Sequence, residues 1–325
     1  MTKDQCDYLP SASWPVLRLR ATLLRTLREF FHQHGFLEVE TPILSADVVV
    51  DRHLEPFLVD FATGAGTRRM WLQTSPEFGM KRLLAAGGVA IYQVTRAFRQ
   101  AEQGPRHNPE FTIVEWYRRG DGPDEAMRFL AELCEVLLGL APAERLSYQA
   151  AFERHVGVDP HTADVARLEE VARGRGLSPP ASMDAEDRDL WLDFLLVEFV
   201  EPRLGQDRPV ILYDYPASQA ALAHVRPGPP AMAERFELYV AGIELANGYH
   251  ELLDASVLRQ RNRTNNATRR AEGKPSLPEA SRLLAAMDHG LPACAGVALG
   301  FDRVVMLAAG AASLDEVLAF PFDRA

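Results

Sequence analysis

The sequence predicts an α+β fold in which helices flank an antiparallel sheet. Residues 89–100 and 110–117 are rich in aromatic and β-branched side chains and are joined by about nine residues, a pattern typical of a long hairpin. The stretch 124–200 carries helical patterns with polar faces, and the chain then returns to strands at 236–253 and 293–301. Strands interrupted by a run of helices are typical of the mixed α+β class.

The N-terminal part of the chain predicts a helix, a strand and a second helix in that order. Residues 16–34 place apolar side chains at helical spacing and are followed by a glycine. Residues 36–44 alternate apolar and charged side chains, which predicts a strand broken at Pro42. In Ser75-Pro76-Glu77, serine suits the N-cap, proline the first helical position and glutamate the first turn, so a helix is expected from there to Gly87-Gly88.

The length and apolar content predict one large domain. The chain has 325 residues, of which 47% are apolar, and the whole span 1–325 is expected to form a single domain. Breaks rich in proline and glycine at 174–180 and 205–209 set off a mainly helical insertion over about 124–205. There is no signal-peptide pattern and no apolar run near the roughly 18 residues of a spanning helix, so no membrane partner is expected.

Cysteine usage and net charge favour a cytoplasmic protein that does not depend on nucleic acid. Cys6, Cys134 and Cys294 lie far apart and form no CxxC pair, which fits a reducing compartment and argues against a zinc site. The 35 basic and 45 acidic residues give a net charge of −10. An acidic chain is a poor nucleic-acid binder because lysine and arginine supply most of that affinity, although a local basic patch can override the sum.

The strand 110–117 carries a glutamate among apolar residues. Since alternate residues face the same way, Phe111, Ile113, Glu115 and Tyr117 share one face. A buried, unpaired carboxylate is strongly disfavoured, so Glu115 needs a compensating cation. A ligand ammonium group would serve, and a structural Glu–Arg pair is the alternative.

The loop before that strand carries groups that suit a nucleotide. A hairpin places Arg99 beside Phe111 at the start of the partner strand, and His107 and Asn108 follow across the loop. An aromatic plane can stack on a base, while arginine and histidine can bind phosphates. The alternative is that Arg99 and His107 only bind loop carbonyl groups.

The segment 242–251 places Glu244, Asn247 and Glu251 within eight residues. Carboxylates at this density are unfavourable without a metal or a cationic ligand, and Mg²⁺ bridging phosphates would suit them. In a regular strand Glu244 and Glu251 would face opposite ways, so a bulge at Gly248 is expected to restore a common face. A solvated edge strand is the alternative.

Residues 296–303 read Gly-Val-Ala-Leu-Gly-Phe-Asp-Arg, a glycine-punctuated strand that passes into a helix near Asp302. An arginine in the first turn of a helix adds to a site that already suits anions, so Arg303 is a candidate phosphate ligand. The segment matches neither the GxGxxG nor the GxxxxGK[ST] pattern. A tight strand–helix turn without function explains the glycines but not Arg303.

These four elements, in this order, resemble the class II aminoacyl-tRNA synthetases, and within them the catalytic domain of lysyl-tRNA synthetases. Residues 30–44 resemble the first class II motif, with Pro42 at its dimer-interface proline. Residues 98–117 resemble the second motif and 296–307 the third. The ordered trio is much more specific than any one motif, and the resemblance covers nearly the whole chain.

The resemblance implies ATP and Mg²⁺ as cofactors and assigns roles to individual residues. Arg99 is similar to the arginine on the α-phosphate, Phe111 to the adenine-stacking aromatic, and His107 and Arg303 to the residues on the β- and γ-phosphates. Arg99 and Arg303 are the implied catalytic residues. The other implied residues are Gln100, Ala101, Asn108, Glu244, Leu245 and Gly300 for ATP, Ser75, Pro76, Glu77, Glu115, Tyr117, Asn247, Glu251 and Ala298 for the amino acid, and Glu244 and Glu251 for the metal.

Two departures from the lysyl-tRNA synthetase pattern indicate a family of shorter proteins. The first catalytic helix begins near Val16, which leaves no room for an N-terminal anticodon-binding domain, and Ala298 replaces the glycine of the third motif. Both match the elongation factor P–lysine lysyltransferases. This resemblance implies an ATP-dependent, AMP-forming ligase that activates (R)-β-lysine and transfers it to a lysine of elongation factor P. A homodimer formed through the first motif is also implied, and tRNA is not expected as a partner.

A third departure leaves other functions open. The second motif has Arg99-Gln100-Ala101 where Arg-Asn-Glu is usual, and Glu102 comes one place late. A non-catalytic regulatory paralogue of the synthetases is therefore one alternative. A stand-alone amino-acid ligase of the asparagine synthetase type is another, although its pocket should present arginine or lysine instead of glutamates. An active tRNA synthetase is the third.

Overall fold

The computed structural model describes residues 8–64, 66–100, 102–181 and 183–325. The chain divides into two compact units. The first unit comprises residues 1–120, 136–138 and 253–325, and the second comprises 121–135 and 139–252. A single domain with a helical insertion remains a prediction from the sequence.

The strands are β1 (Leu37–Glu38), β2 (Leu44–Ser45), β3 (Leu58–Thr63), β4 (Gly66–Leu72), β5 (Ala90–Phe98), β6 (Glu110–Arg119), β7 (Glu144–Ser147), β8 (Val210–Pro216), β9 (Val225–Arg226), β10 (Met232–Val240), β11 (Ile243–His250) and β12 (Cys294–Gly300). The helices are α1 (Trp14–Gln33), α2 (Glu77–Ala85), α3 (Pro123–Leu138), α4 (Tyr148–His155), α5 (Val165–Gly174), α6 (Arg188–Leu195), α7 (Ala255–Ala271), α8 (Arg282–Gly290) and α9 (Phe301–Ala309). No helix in the described part of the chain is long and apolar enough to cross a membrane.

The main sheet of the first unit has the strand order β1-β5-β6-β12. β5 and β6 form the antiparallel hairpin that the sequence predicts, with Ala97 opposite Phe111. β12 pairs antiparallel with β6, and only β1 runs parallel to its neighbour β5. A second sheet, in the order β2-β4-β3, is antiparallel. The predicted α+β class is confirmed.

The second unit contains strands in the order β11-β10-β8-β7, with β9 paired to β10. β7 and β8 are parallel, and the other pairs are antiparallel. In its core, side chains of α4, α5 and α6, among them Tyr148, Phe152, Leu168 and Trp191, pack with sheet residues such as Leu212 of β8. Burial of such large apolar side chains is the main stabilising contribution to a unit of this size.

The strand predicted over 36–44 with a break at Pro42 is much shorter in the structure, which has only β1 before the proline and β2 after it. The apolar–charged alternation was misleading: Leu37 is 65% exposed, whereas its neighbour Glu38 is held in place. Glu38 accepts hydrogen bonds from the Tyr92 hydroxyl at 2.9 Å and from Arg28 Nε at 3.1 Å. Glu38 is nevertheless exposed as well, so β1 buries neither of its two residues.

The predicted strand over 236–253 is two strands, β10 and β11, joined by a tight turn. Ala241 and Gly242 both have positive φ, 51° and 71°, and Val240 pairs with Ile243. Two successive residues with positive φ are typical of the two-residue hairpin turn whose twist matches that of the strands.

Candidate active site

In the first unit, Glu115 lies at the centre of β6 and is only 2% exposed. Its Oε2 accepts a hydrogen bond from the Ser75 hydroxyl at 2.6 Å, and its Oε1 accepts one from the Tyr117 hydroxyl at 2.5 Å. Ala298 is the register partner of Glu115 on β12, so its methyl group lies on the same face of the sheet. Four residues predicted for the amino-acid site are thus brought together.

Ser75 also positions the start of α2. Its hydroxyl oxygen accepts a hydrogen bond from the Glu77 backbone N–H at 3.0 Å, although the helix begins at Glu77 and Pro76 occupies the N-cap position. One serine hydroxyl therefore links the first turn of α2 to the carboxylate of β6.

Lys81 is a member of this cluster that sequence reasoning missed. It is 2% exposed, and its ammonium group donates a hydrogen bond to the carboxylate of Glu77, which is 8% exposed. Its Nζ atom also lies 5.9 Å from the centroid of the Tyr117 ring. The i,i+4 spacing of Glu77 and Lys81 on a predicted helix is a sequence signal that points to this pair.

The pKa of Glu115 is raised to about 7, first by burial and then by the nearby charge of Glu77. Hydrogen bonds from Ser75 and Tyr117 and the charge of Lys81 act in the opposite direction. No arginine forms an ion pair with Glu115 among the described residues, so the structural Glu–Arg alternative has no support there. One lysine faces two carboxyl groups, and a further cation would let Glu115 ionise fully.

Arg99 lies beside Phe111, as the hairpin geometry predicts, with its guanidinium carbon 5.0 Å from the ring centroid. Its Nη1 forms an ion pair with Glu102 at 3.3 Å. The Nε atom is buried and has no hydrogen-bond partner among the described residues. The backbone N–H of Gln100 donates to the Glu55 carbonyl at 2.8 Å. Ala101, predicted as an ATP contact, lies outside the described residues.

Arg303 lies in the first turn of α9, just after Gly300 ends β12, and contacts His107. Its Nη2 is 2.7 Å from His107 Nε2, and its Nε donates to the Arg106 carbonyl at 3.2 Å. Burial and the charge of Arg303 lower the pKa of His107, so the imidazole is neutral at pH 7 and accepts the hydrogen bond. His107 therefore orients Arg303 and does not add a second positive charge.

Asn108 has both ends of its amide bonded to backbone groups. Its Nδ2 donates to the Glu110 carbonyl at 2.6 Å, and its Oδ1 accepts from the Phe322 N–H at 3.0 Å. The side chain therefore ties the loop in place through backbone groups. Its predicted contact with ATP remains a prediction.

In the second unit, the bulge of β11 lies at Leu245 and not at Gly248. Glu244 pairs with Tyr239 and Ala246 with Leu238, so Leu245 is the extra residue, whereas Gly248 pairs regularly with Phe236. The predicted bulge position is wrong because the pairing with β10 determines where the extra residue lies. The consequence is nevertheless the expected one: the phase change places Glu244 on the same face as Asn247 and, by alternation, as Glu251.

Glu237 on β10 was not singled out from the sequence. It is 4% exposed and accepts hydrogen bonds from the hydroxyls of Tyr215 at 2.5 Å and Tyr239 at 2.6 Å. Arg235 and the Nδ2 of Asn247, the latter at 3.2 Å, also donate to it. Burial and the charge of Glu237 raise the pKa of both tyrosines, which stay neutral donors.

Glu237 fixes the orientation of Asn247. Because Asn247 Nδ2 donates to Glu237, its Oδ1 points away from that carboxylate. This Oδ1 is buried and has no hydrogen-bond partner among the described residues. A buried carbonyl oxygen without a donor is unfavourable, so Asn247 presents an acceptor to an N–H-bearing ligand.

Comparisons with known proteins agree with the motif order. The model of the family described as tRNA synthetases class II (D, K and N) matches residues 6–324. A protein of Klebsiella pneumoniae subsp. pneumoniae named elongation factor P–(R)-β-lysine ligase is 50% identical over 325 residues, covering 99% of each chain. Proteins of the same name are 48% identical in Edwardsiella ictaluri, over 99% of each chain, and in Vibrio cholerae, over 98% of this chain and 99% of that one. The chain therefore belongs to the class II tRNA synthetase (D, K and N) family, within the group that includes the elongation factor P–(R)-β-lysine ligases.

Proposed function

We propose that the protein is an ATP-dependent ligase that activates (R)-β-lysine as an adenylate and transfers it to the ε-amine of a lysine on elongation factor P. The observation that carries the proposal is the buried Ser75–Glu115–Tyr117 cluster with Ala298 in register, a carboxylate site that needs a cation. Relatives 48–50% identical over nearly their whole length bear the name of this activity.

The carboxylates of the first unit bind an ammonium group of the substrate. Glu115, whose pKa is about 7, is partly protonated in the free protein; the arriving ammonium group lowers that pKa, and Glu115 releases its proton to solvent. Tyr117 and Ser75 hold the carboxylate in one orientation. In the second unit, Asn247 accepts a hydrogen bond from a substrate amine, with Glu237 as the residue that positions its amide.

The arginines bind the phosphates of ATP. The Nε–H of Arg99 is the donor assigned to the α-phosphate, and Phe111 stacks on the adenine. Arg303, held by neutral His107, binds the terminal phosphates. Glu244 on β11 and Glu251, which directly follows the strand, lie on one face by alternation, and carboxylate oxygens are the ligands that Mg²⁺ prefers, so these residues fit the metal. Mg²⁺, when bound, neutralises charge on the phosphates.

The reaction proceeds in two steps that need no covalent bond to the enzyme. A carboxylate oxygen of β-lysine attacks the α-phosphorus, the bond to the β-phosphate oxygen breaks, and pyrophosphate leaves. The ε-amine of the acceptor lysine then attacks the carbonyl carbon of the adenylate, an amide bond forms, and AMP and a proton leave. Arg99 stabilises the charge that develops on the α-phosphate, and the acidic cluster holds the substrate amines in place.

The alternatives fit the site less well. A ligase of the asparagine synthetase type has to bind a substrate carboxylate, whereas Glu77 and Glu115 are arranged for an amine. A paralogue that does not use ATP has no need of a buried, unpaired arginine donor, yet Arg99 Nε is buried and has no hydrogen-bond partner among the described residues. The group of relatives named above favours the ligase over both.

The function is tested by ATP–pyrophosphate exchange with purified protein and one amino acid at a time. We expect strong exchange with (R)-β-lysine, less with (S)-β-lysine and α-lysine, and none with aspartate. Adding elongation factor P should then give a protein whose mass is increased by one β-lysyl group, and a factor with its acceptor lysine replaced by arginine is the control. Exchange with aspartate only, or with none of the four, would contradict the proposal.

Arg99→Ala is expected to lower the rate of pyrophosphate exchange at saturating β-lysine by about a hundredfold, because a donor to the transition-state charge is lost. Arg96→Ala is the matched control, since Arg96 lies three residues before Arg99 near the end of β5, is 45% exposed and pairs only weakly with Glu110 at 3.6 Å. If the two variants exchanged pyrophosphate at equal rates, Arg99 would have no catalytic role.

We also propose that the protein acts in the cytoplasm as a homodimer formed through residues 30–44, with no role for tRNA. Two large apolar side chains of this segment, Leu37 and Ile43, are 65% and 40% exposed, which suits a covered surface. Leu37→Glu is expected to shift the protein from dimer to monomer in light scattering. Phe61→Glu, at a 52% exposed position on β3, is the control and should leave the mass unchanged. A wild-type protein that is monomeric at all concentrations would overturn the proposal.

A further inference from the structure

Two histidines and a glutamate of the second unit form a compact cluster outside the residues assigned to the reaction. His224 Nδ1 lies 2.9 Å from Glu234 Oε2, and His250 Nδ1 lies 2.5 Å from the same oxygen. One candidate ligand atom from each residue lies within 4.8 Å of the others. Among the described residues, no other group of three or more histidine, cysteine or carboxylate side chains comes this close together.

The backbone holds this cluster in place. Glu234 belongs to β10, His250 is the last residue of β11, and His224 immediately precedes β9. The His224 N–H donates to the His250 carbonyl at 2.8 Å, and the Glu234 N–H donates to the His224 carbonyl at 2.9 Å. The three side chains therefore start from adjacent, mutually bonded segments, a rigid placement that a ligand site requires.

The charges around Glu234 keep its carboxylate ionised and directed at the imidazoles. Burial alone would raise the pKa of Glu234, but the hydrogen bonds from His250 and His224 outweigh burial and lower it. Arg226 Nη1 lies 3.3 Å from Glu234 Oε1, and its Nη2 lies 2.8 Å from Asp214 Oδ2. Arg226 thus occupies one oxygen of Glu234 and leaves the other for the two histidines.

The site is open to ions from solvent and separate from the carboxylates proposed for Mg²⁺. The side chains of His224 and His250 are 45% and 26% exposed, whereas that of Glu234 is 11% exposed. His250 and Glu251 are neighbours on an extended segment, so their side chains leave the sheet on opposite faces.

We propose that His224, Glu234 and His250 bind one divalent transition-metal ion of the Zn²⁺ type. Two imidazole nitrogens and one carboxylate oxygen form a donor set that suits Zn²⁺ or Co²⁺ and not Mg²⁺, which prefers oxygen ligands alone. Water completes the coordination. The ion links the end of β11 to β10 and to the segment before β9, so it stabilises the strand that carries Asn247 and leads directly into Glu251, two residues of the proposed reaction.

Titration of metal-free protein with Co²⁺ in excess Mg²⁺ tests the proposal, with visible absorption reporting nitrogen and oxygen ligands. We expect one equivalent of Co²⁺, displaced by one equivalent of Zn²⁺, and a higher Tm with Zn²⁺ than without it. His224→Ala and His250→Ala should each weaken binding by at least about tenfold and abolish the rise in Tm. Glu234→Gln, which keeps the side-chain shape, should do the same.

The matched control is His289→Ala, which removes an exposed histidine of α8 in the first unit. It should bind Co²⁺ as the wild type does. Circular dichroism of each variant without metal checks that the fold is retained. Binding that is unchanged in the His224→Ala/His250→Ala double variant, or wild-type protein that takes up neither ion stoichiometrically, would overturn the assignment.

Discussion

Replacing Glu115 with glutamine is expected to make the protein more stable at neutral pH and to reduce β-lysine activation sharply. The two effects have one cause, because the carboxylate is buried beside Glu77 and its ionisation is unfavourable until a cation arrives. Glutamine keeps the shape and the acceptor for Tyr117 but carries no charge. Loss of a charge-assisted hydrogen bond is worth about 1.5–3 kcal/mol, so kcat/KM for β-lysine should fall by about ten- to a hundredfold.

The effect on stability depends on pH in a definite direction. The pKa of Glu115 is about 7 in the folded protein against an ordinary value of 4.5, so between these values the folded state binds more protons than the unfolded state. The free energy of unfolding therefore falls as pH rises through this window, by at most about 3 kcal/mol, and no further above it. Urea unfolding of wild type and Glu115→Gln at about pH 5 and about pH 8 should show this difference in the wild type only.

Glu110→Gln is the matched control for Glu115→Gln. Glu110 lies on the same strand, but it is exposed, and its ion pair with Arg96 is long, at 3.6 Å. This variant should keep the wild-type kcat/KM and the wild-type dependence of stability on pH. If Glu115→Gln retained full pyrophosphate exchange with β-lysine, the carboxylate would not be the amine ligand. If its stability still fell with pH as in the wild type, another group would account for the slope.

The sequence predicts Glu115 because a charge within an apolar strand is a local signal. Strand alternation alone then places Tyr117 on the same face, and the structure has their side chains in hydrogen-bond contact. Glu237 shows the same signal, because it is a charged residue between Phe236 and Leu238 in β10. The same reasoning applied to that strand would have identified Glu237 as a candidate site residue. Lys81 is different: its spacing predicts the pair with Glu77, but its proximity to Tyr117 depends on the packing of α2 near β6.

Two other features depend on partners that are distant in sequence. The spacing of Glu244 and Glu251 predicts that a bulge changes which side chains face the same way. Only the pairing of β11 with β10 shows that the extra residue is Leu245. The small sheet of β2, β3 and β4 was not predicted, since β3 is almost entirely exposed and so lacks the buried alternation that identifies a strand. Amphipathic patterns locate elements that bury one face, whereas they do not reveal strands stabilised mainly by backbone pairing.

Arg20→Ala is expected to lower the free energy of unfolding by about 3–5 kcal/mol, because it leaves a buried carboxylate without its cation. Arg20 Nη1 lies 2.6 Å from Asp302 Oδ1, and the two side chains are 14% and 3% exposed. Arg20 Nη2 donates to the Thr112 hydroxyl at 2.7 Å, and Asp302 Oδ2 accepts from the Thr112 N–H at 2.8 Å. The group therefore joins α1, β6 and the first turn of α9.

Urea unfolding of Arg20→Ala, Asp302→Asn and the double variant measures this interaction, and Arg25→Ala, an exposed arginine of the same helix, is the control. The control should change stability by less than about 0.5 kcal/mol. The double variant should recover part of the loss, since no unpaired charge remains buried. Arg303 follows Asp302 directly on α9, so Arg20→Ala should also slow pyrophosphate exchange at temperatures where the protein remains folded. If the decreases in the free energy of unfolding of the two single variants simply add up in the double variant, the ion pair does not couple the two residues.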